Sequence, residues 1–259
     1  GMNIFIHHGI EHLSASSLNL YAAEPALWVL ERLLGMKHGS NAAMARGKAV
    51  EGGVHMALLQ PHLSIEACIA EAERQYDAEM VLIPDANRED ERKNIAGYVR
   101  YAAADLRLYG IPTGYQDKIS VKLEGVSVPI IGFIDWRFDQ HGLIVDLKTS
   151  ERLPGKISEA HGRQGAIYAH AHGNYGMRFC YAKPTPSKKD NKAVVIHEMS
   201  GEERERHMNA LRQIALRLHR FLSLSKDPKE LAGLVCPNYE SFYWSNPQTR
   251  ADGEKVFGF

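Results

Sequence analysis

Residues 132–150 constrain this chain more than any other stretch: Gly132-Phe133-Ile134-Asp135-Trp136-Arg137-Phe138, then Asp139-Gln140-His141-Gly142, then Leu143-Ile144-Val145-Asp146-Leu147-Lys148-Thr149-Ser150. Two β-rich runs flank a short polar segment ending in Gly, which predicts a hairpin with a tight connection. With Phe138 opposite Leu143, Asp135 falls opposite Asp146. Strand side chains alternate, so Phe133, Asp135 and Arg137 share a face with Ile144, Asp146 and Lys148. The other face, Ile134, Trp136, Phe138, Leu143, Val145 and Leu147, is apolar and fit for burial. Facing carboxylates with Cβ atoms about 4.5–5.5 Å apart destabilise an antiparallel pair. A divalent cation removes that cost, because Mg²⁺ takes carboxylate oxygens and keeps several waters; two facing Asp and a backbone carbonyl make half a shell. Lys148 stands roughly 7 Å along the same face from Asp146, within reach of a phosphate oxygen or an attacking water.

The remaining pattern supplies helices and more strands. Apolar periodicity predicts helices over 41–60, 64–80, 88–109, 158–175 and 201–224, and one beginning at Pro25 behind the Ser-rich caps of 14–17 and stopping at Gly35. Period-two alternation predicts strands over 115–124, 126–138, 143–149, 177–183 and 193–199. Pro129 donates no ladder bond, which moves the start of the middle strand toward Ile130. On the 41–60 helix, Gly47, Glu51 and His55 recur one turn apart on one face; by spacing alone Glu51 also fits an ordinary solvated helix face, and His55 fits a packing residue. Gln164 and Tyr168 share a face of a later helix in the same way. His170 and His172, at i and i+2, do not face each other and make no metal pair. The tail around 236–244 is aromatic and turn-rich and reads as packing back onto the core.

Asp135, then Asp146-Leu147-Lys148 after a turn, resembles the PD-(D/E)xK nuclease signature, and Asp-x-Lys-Thr-Ser resembles its RecB-like exonuclease branch. Gly47-Lys48-Ala49-Val50-Glu51 is similar to the first motif of that family, and Gln164-Gly165-Ala166-Ile167-Tyr168 matches its Gln-x-x-x-Tyr motif. The motifs run in the family's order; the first Asp lacks a preceding Pro, as is common in that branch. The resemblance implies an α/β (α+β) fold, a central mixed β-sheet with an antiparallel meander flanked by helices. That is a restriction-endonuclease-like core, here one domain over 1–259 with a helical insertion at about 60–112. It implies Glu51, Asp135, Asp146, Lys148, Gln164 and Tyr168 as the catalytic set. One or two Mg²⁺ or Mn²⁺ ions would be held by Glu51, Asp135, Asp146 and the Leu147 carbonyl. The expected reaction is hydrolysis of DNA phosphodiesters by an exonuclease in end processing for recombination or repair, with a helicase or single-strand annealing protein as partner. By composition, Lys188, Lys189 and Lys192 in a polar loop that equally fits a solvated hairpin tip, and Arg163, are the candidate DNA contacts.

Some RecB-like relatives hold an iron–sulfur cluster through a cysteine next to the early Pro and three near the C-terminus. Here Glu24 precedes Pro25 and Cys236 stands alone near the end, so no iron–sulfur cluster is expected. The three cysteines show no disulfide or zinc spacing. Lysine plus arginine balance aspartate plus glutamate at 31 each, so DNA contact must come from a local basic surface and not from the overall field. No apolar run reaches membrane-span length and no signal-peptide pattern opens the chain, from which a cytoplasmic location is expected. No Gly-x-Ser-x-Gly elbow and no His-Glu-x-x-His helix occurs, which sets aside serine hydrolase and zinc peptidase chemistry. Two other readings fit the residues: a catalytically silent nucleic-acid-binding relative, and an interaction protein in which the acids and Lys148 form a structural ion cluster.

Overall fold

The computed structural model describes residues 3–173 and 175–259. In chain order the elements are α1 (Ile4–His7), α2 (Ala15–Ala23), α3 (Pro25–Trp28) continued by a π-turn (Val29–Leu33), α4 (Ala42–Leu59), α5 (Ile65–Met80), α6 (Arg88–Arg92) and α7 (Ile95–Leu106). Then come β1 (Gly114–Val121), β2 (Ile130–Phe138), β3 (Leu143–Thr149), α8 (Glu159–Ala171), β4 (Gly176–Ala182), β5 (Val194–Glu198), α9 (Gly201–Leu222), α10 (Pro228–Ala232) and α11 (Pro247–Phe257). Side-chain oxygens of Ser14, Asn41, Ser64, Ser158 and Ser200 cap the helices that follow them by accepting from N–H groups of the first turn, each cap worth about 1 kcal/mol.

The sheet is mixed, in the order β1-β2-β3-β4-β5, with β3 and β4 parallel and the other neighbours antiparallel. The 139–142 connection is a single helical turn closed by Gly142 at φ +56, a conformation that favours glycine. The β3–β4 crossover runs through α8. One layer packs α2, α8 and α9 on the sheet around Ile119, Ile134, Ile144 and Phe179. The other packs α4, α5 and α7 around Trp136, Phe138, Val145 and Leu147. A smaller apolar group joins Ala26, Leu27 and Leu30 to Trp244 and the C-terminal segment.

The hairpin register is the expected one, Phe138 opposite Leu143, but its facial alternation is not uniform. Ile134 lies in the α8 layer while Trp136, two residues on, lies in the α4 layer. The flip has a local cause. Gln116 and Asp135 drop out of the β1–β2 pairing between Tyr115↔Trp136 and Asp117↔Ile134, and Gln116 takes φ +53. One unpaired residue on each strand preserves the register and reverses the side-chain alternation.

Other differences are local. The 88–109 helix is broken at Lys93–Asn94, where the Asn94 N–H reaches back only to Glu91 O and tightens the turn. The 158–175 helix stops at Ala171, and Asn174 lies outside the described residues. Strand β2 starts at Ile130, and the Pro129 carbonyl accepts from Leu13 N–H, tying the N-terminal segment to the start of this strand. On α9 His207 is buried and Met208 is half-buried. The tail forms α11, begun by Pro247 behind an Asn246 cap. Its periodicity is too polar to stand out in the sequence.

Candidate active site

The pairing of β2 with β3 ends at Trp136↔Val145, and the site lies in the gap that opens beyond. Asp135 does not face Asp146 across a continuing ladder. Its Oδ2 accepts from the Leu147 N–H at 3.0 Å, so a side-chain carboxylate takes the place of a ladder carbonyl. Asp135 and Asp146 are 8% and 3% exposed. On α4, Ala45, Ala49, Val50, Val54 and Ala57 are buried, which turns Glu51 toward the same gap. On α8, Gly165, Ala166 and Ala169 pack inward, carrying Gln164 and Tyr168 to the cleft's other wall. A cleft of about 540 Å³ is lined by Met44, Gly47, Glu51, Phe133, Asp135, Asp146, Leu147, Lys148, Thr149, Gln164 and Tyr168.

Polar contacts run through this cleft in two chains. Lys148 Nζ lies 2.9 Å from Asp146 Oδ2 and donates to Gln164 Oε1 at 2.7 Å; Gln164 Nε2 donates to the Tyr168 hydroxyl at 3.2 Å. On the α4 side, Tyr115 Oη donates to Glu51 Oε1 at 2.9 Å. The Gln116 amide donates to that same oxygen and to Asp135 Oδ1. Tyr115 is stacked face to face on His55, 3.5 Å between centroids, and His55 Nδ1 accepts from Trp136 Nε1. His55 is therefore a packing and hydrogen-bonding residue behind Glu51.

The electrostatics are those of crowded acids. Burial, then the charges of Asp146 and Glu51, push Asp135 well above the carboxylate range. Burial raises Glu51 as well, against the donors Tyr115 and Gln116, which pull it down. Burial would lower Lys148, but the charges of Asp146, Asp135 and Glu51 outweigh it, so the net shift is upward and the amine stays an ammonium. Burial and that ammonium lower His161, behind the cleft, to about 4, leaving it neutral at neutral pH.

Among the described residues no three His, Cys, Asp or Glu side chains form a preassembled metal cluster. Glu51 and Asp135 are occupied by Tyr115, Gln116 and the Leu147 N–H, and Asp146 by Lys148. The residues nevertheless suit a hard cation. Asp146 is buried with Lys148 Nζ 2.9 Å from its Oδ2, three acidic side chains line the cleft against one ammonium, and carboxylate oxygens are what Mg²⁺ and Mn²⁺ take.

Of the sequence-selected residues, Glu51, Asp135, Asp146, Leu147, Lys148, Gln164 and Tyr168 converge on the cleft. Lys188, Lys189 and Lys192 do not line it; they lie on the loop joining β4 to β5, where Lys188, Lys189 and Lys192 are exposed. Arg163 is half-buried and donates to Asn19 Oδ1 at 2.6 Å, a strut between α8 and α2. Motifs alone do not single out Tyr115 and Gln116. The β1–β2 register seen in the structure, which brings Gln116 beside Asp135, is what identifies them. Gly132 has a positional role: a Cβ there would lie 2.7 Å from Tyr168 Cε1. Gly132→Ala is expected to displace Tyr168, costing about 1–3 kcal/mol of stability and lowering activity with the far-ultraviolet dichroism unchanged; thermal melts and initial rates check this.

A sequence profile of the PD-(D/E)XK nuclease superfamily matches residues 12–237. The chain belongs to the PD-(D/E)XK nuclease superfamily. In fold it is similar to a solved protein of Eubacterium rectale provisionally named an exonuclease, with TM-score 0.55 and 14% identity over 81% of this chain and 82% of that one. A second solved structure, SSO0001, aligns at TM-score 0.33 and 14% identity over 84% and 87% of the two chains, too distant to bear on the fold. No curated protein matches the chain by sequence.

Proposed function

We propose that this protein is a divalent-metal-dependent deoxyribonuclease that degrades DNA from ends. The observation that carries the reading is the convergence of Asp135, Asp146 and Lys148 from two strands with Glu51 and Gln164–Tyr168 from the flanking helices in one cleft. Nucleases of the superfamily generally use divalent ions such as Mg²⁺ or Mn²⁺. Asp135, Asp146, Glu51 and the Leu147 carbonyl would hold one or two of them. Such an ion supplies positive charge against the phosphate oxygens and makes water acidic enough to attack at neutral pH. Lys148, kept charged by the surrounding acids, sets an ammonium beside the position of the scissile phosphate, stabilising charge as it develops there. Gln164 fixes that ammonium through its Oε1, and Tyr168 fixes Gln164. Burial and the nearby Asp146 and Asp135 hold the Tyr168 hydroxyl protonated, so it serves as a neutral hydrogen-bonding group and not as a base.

Exonucleolytic action, a role in recombination or repair, and cooperation with a helicase or annealing protein belong to the same proposal. So do a cytoplasmic setting, the contribution of Lys188, Lys189 and Lys192 to the DNA path, and the lack of an iron–sulfur cluster. Among the described residues no helix is long and apolar enough to cross a membrane. The test is digestion of linear and covalently closed circular duplex of one sequence, with single-stranded DNA alongside, in Mg²⁺, Mn²⁺ or EDTA. Loss of linear DNA in either metal, with the circle intact and EDTA silent, is expected. Cutting of the circle at the same rate contradicts the end requirement, and digestion in EDTA contradicts the metal requirement.

A further inference from the structure

Gln116 is one of two non-glycine residues with positive φ among the described residues, at +53. Left-handed backbone disfavours an ordinary L-residue by roughly 1–2 kcal/mol, and such conformations cluster at functional sites where the surroundings enforce them. Here the surroundings are the catalytic carboxylates. Gln116 and Asp135 are the two positions missing from an otherwise continuous β1–β2 register. The Gln116 Nε2 group spans Glu51 Oε1 and Asp135 Oδ1, which places an amide between two of the acids assigned to hold a cation. Its neighbour Tyr115 is fixed differently. Tyr115 reaches Glu51 from within the His55–Trp136 stack, whereas Gln116 is exposed and has χ freedom to leave. One donor on Glu51 is locked and the other can move.

We propose that Gln116 is a latch on metal loading: its amide bridges Glu51 and Asp135 and must swing out before these two acids can take a cation, while Tyr115 keeps Glu51 aimed at the gap. This rests on the proposed metal-dependent reading and adds a residue to it. Gln116 is a positioning residue here, acting through Glu51 and Asp135. Removing it should tighten metal binding, the opposite sign from general damage to the site, because its hydrogen bonds to the two acids no longer have to be broken.

The test is calorimetric titration of the metal-free chain with Mn²⁺ alone, for wild type, Gln116→Ala, Gln116→Gly and Tyr115→Phe, with Asp146→Asn marking site-specific heat. Gln116→Gly keeps the fold accessible, since glycine adopts positive φ freely. Both Gln116 variants are expected to bind Mn²⁺ about 5- to 10-fold more tightly than wild type, and Tyr115→Phe more weakly. Unchanged or weaker binding in both Gln116 variants, with wild type still binding through Asp146, overturns the latch and leaves the metal site standing. Failure of wild type to bind any Mn²⁺ that Asp146→Asn abolishes overturns the metal reading and the latch with it.

Discussion

Asp146→Asn is expected to lose about 10³-fold of metal-dependent DNA hydrolysis, and Lys148→Ala about 10²- to 10³-fold, with the folded state of each verified by its melt. The two losses have different causes. Asp146 is 3% exposed and supplies a buried carboxylate paired with Lys148 at 2.9 Å, so its removal takes away a seat for the cation. Lys148 supplies charge on the phosphate side. Its removal also leaves Asp146 buried without a counter-charge, a change that costs about 3–5 kcal/mol where burial is complete and less at this open cleft. Lys148→Ala should therefore melt lower than wild type in EDTA and recover when Mn²⁺ is added, whereas Asp146→Asn should not respond to Mn²⁺. Initial rates on linear DNA and paired melts with and without Mn²⁺ read both effects. Equal digestion by wild type and both variants removes these residues from catalysis.

The second large effect is on stability. The folded-state pKa values of Asp135 and Glu51 are raised, so in the metal-free protein these carboxyls keep protons that the unfolded chain has released. Their stabilising contribution is present below the unfolded carboxylate range, near pH 4, and is lost as pH rises through the raised folded values. A tenfold change in a carboxyl's proton affinity corresponds to about 1.4 kcal/mol. The lowered His55, His161 and His207 work in the opposite sense up to about pH 6.5, so the diagnostic is a difference between proteins and not the wild-type curve. In EDTA, Asp135→Asn is expected to melt higher than wild type, by more at pH 8 than at pH 5, at roughly 2–4 °C per kcal/mol for a chain of this size. With Mn²⁺ the order reverses, because wild type gains and the variant does not. A pH-independent difference between the two melts in EDTA contradicts the crowding of acids on which the site is built.

Much of this arrangement could be read from the chain because its chemistry is local. The hairpin register followed from a polar connection ending in Gly142; helical spacing left Glu51 and Gln164–Tyr168 open to an ordinary packing role, and the resemblance to the nuclease motifs marked them as site residues. What could not be read were the consequences of a long-range strand pairing. The reversal of side-chain alternation at Gln116 and Asp135 depends on where β1 lies beside β2, and neither residue shows it alone. For the same reason Asp135 was expected to face Asp146, whereas its carboxylate caps the Leu147 N–H once the strands part. Arg163 looked available for DNA because its partner, Asn19, is far away in sequence. Helix α11 escaped notice because most of its side chains are polar and few of its positions are buried.

In the proposed function Asp135 and Asp146 seat a divalent ion where DNA is cut. Anomalous diffraction from crystals equilibrated with Mn²⁺ measures this without reference to rate. An anomalous peak in the cleft in contact with the carboxylates of both Asp135 and Asp146, with the Gln116 amide displaced, is expected. Mn²⁺ found only elsewhere on a protein that Mn²⁺ activates, or a cleft in which Gln116 and Lys148 still hold the acids at saturating Mn²⁺, would contradict it.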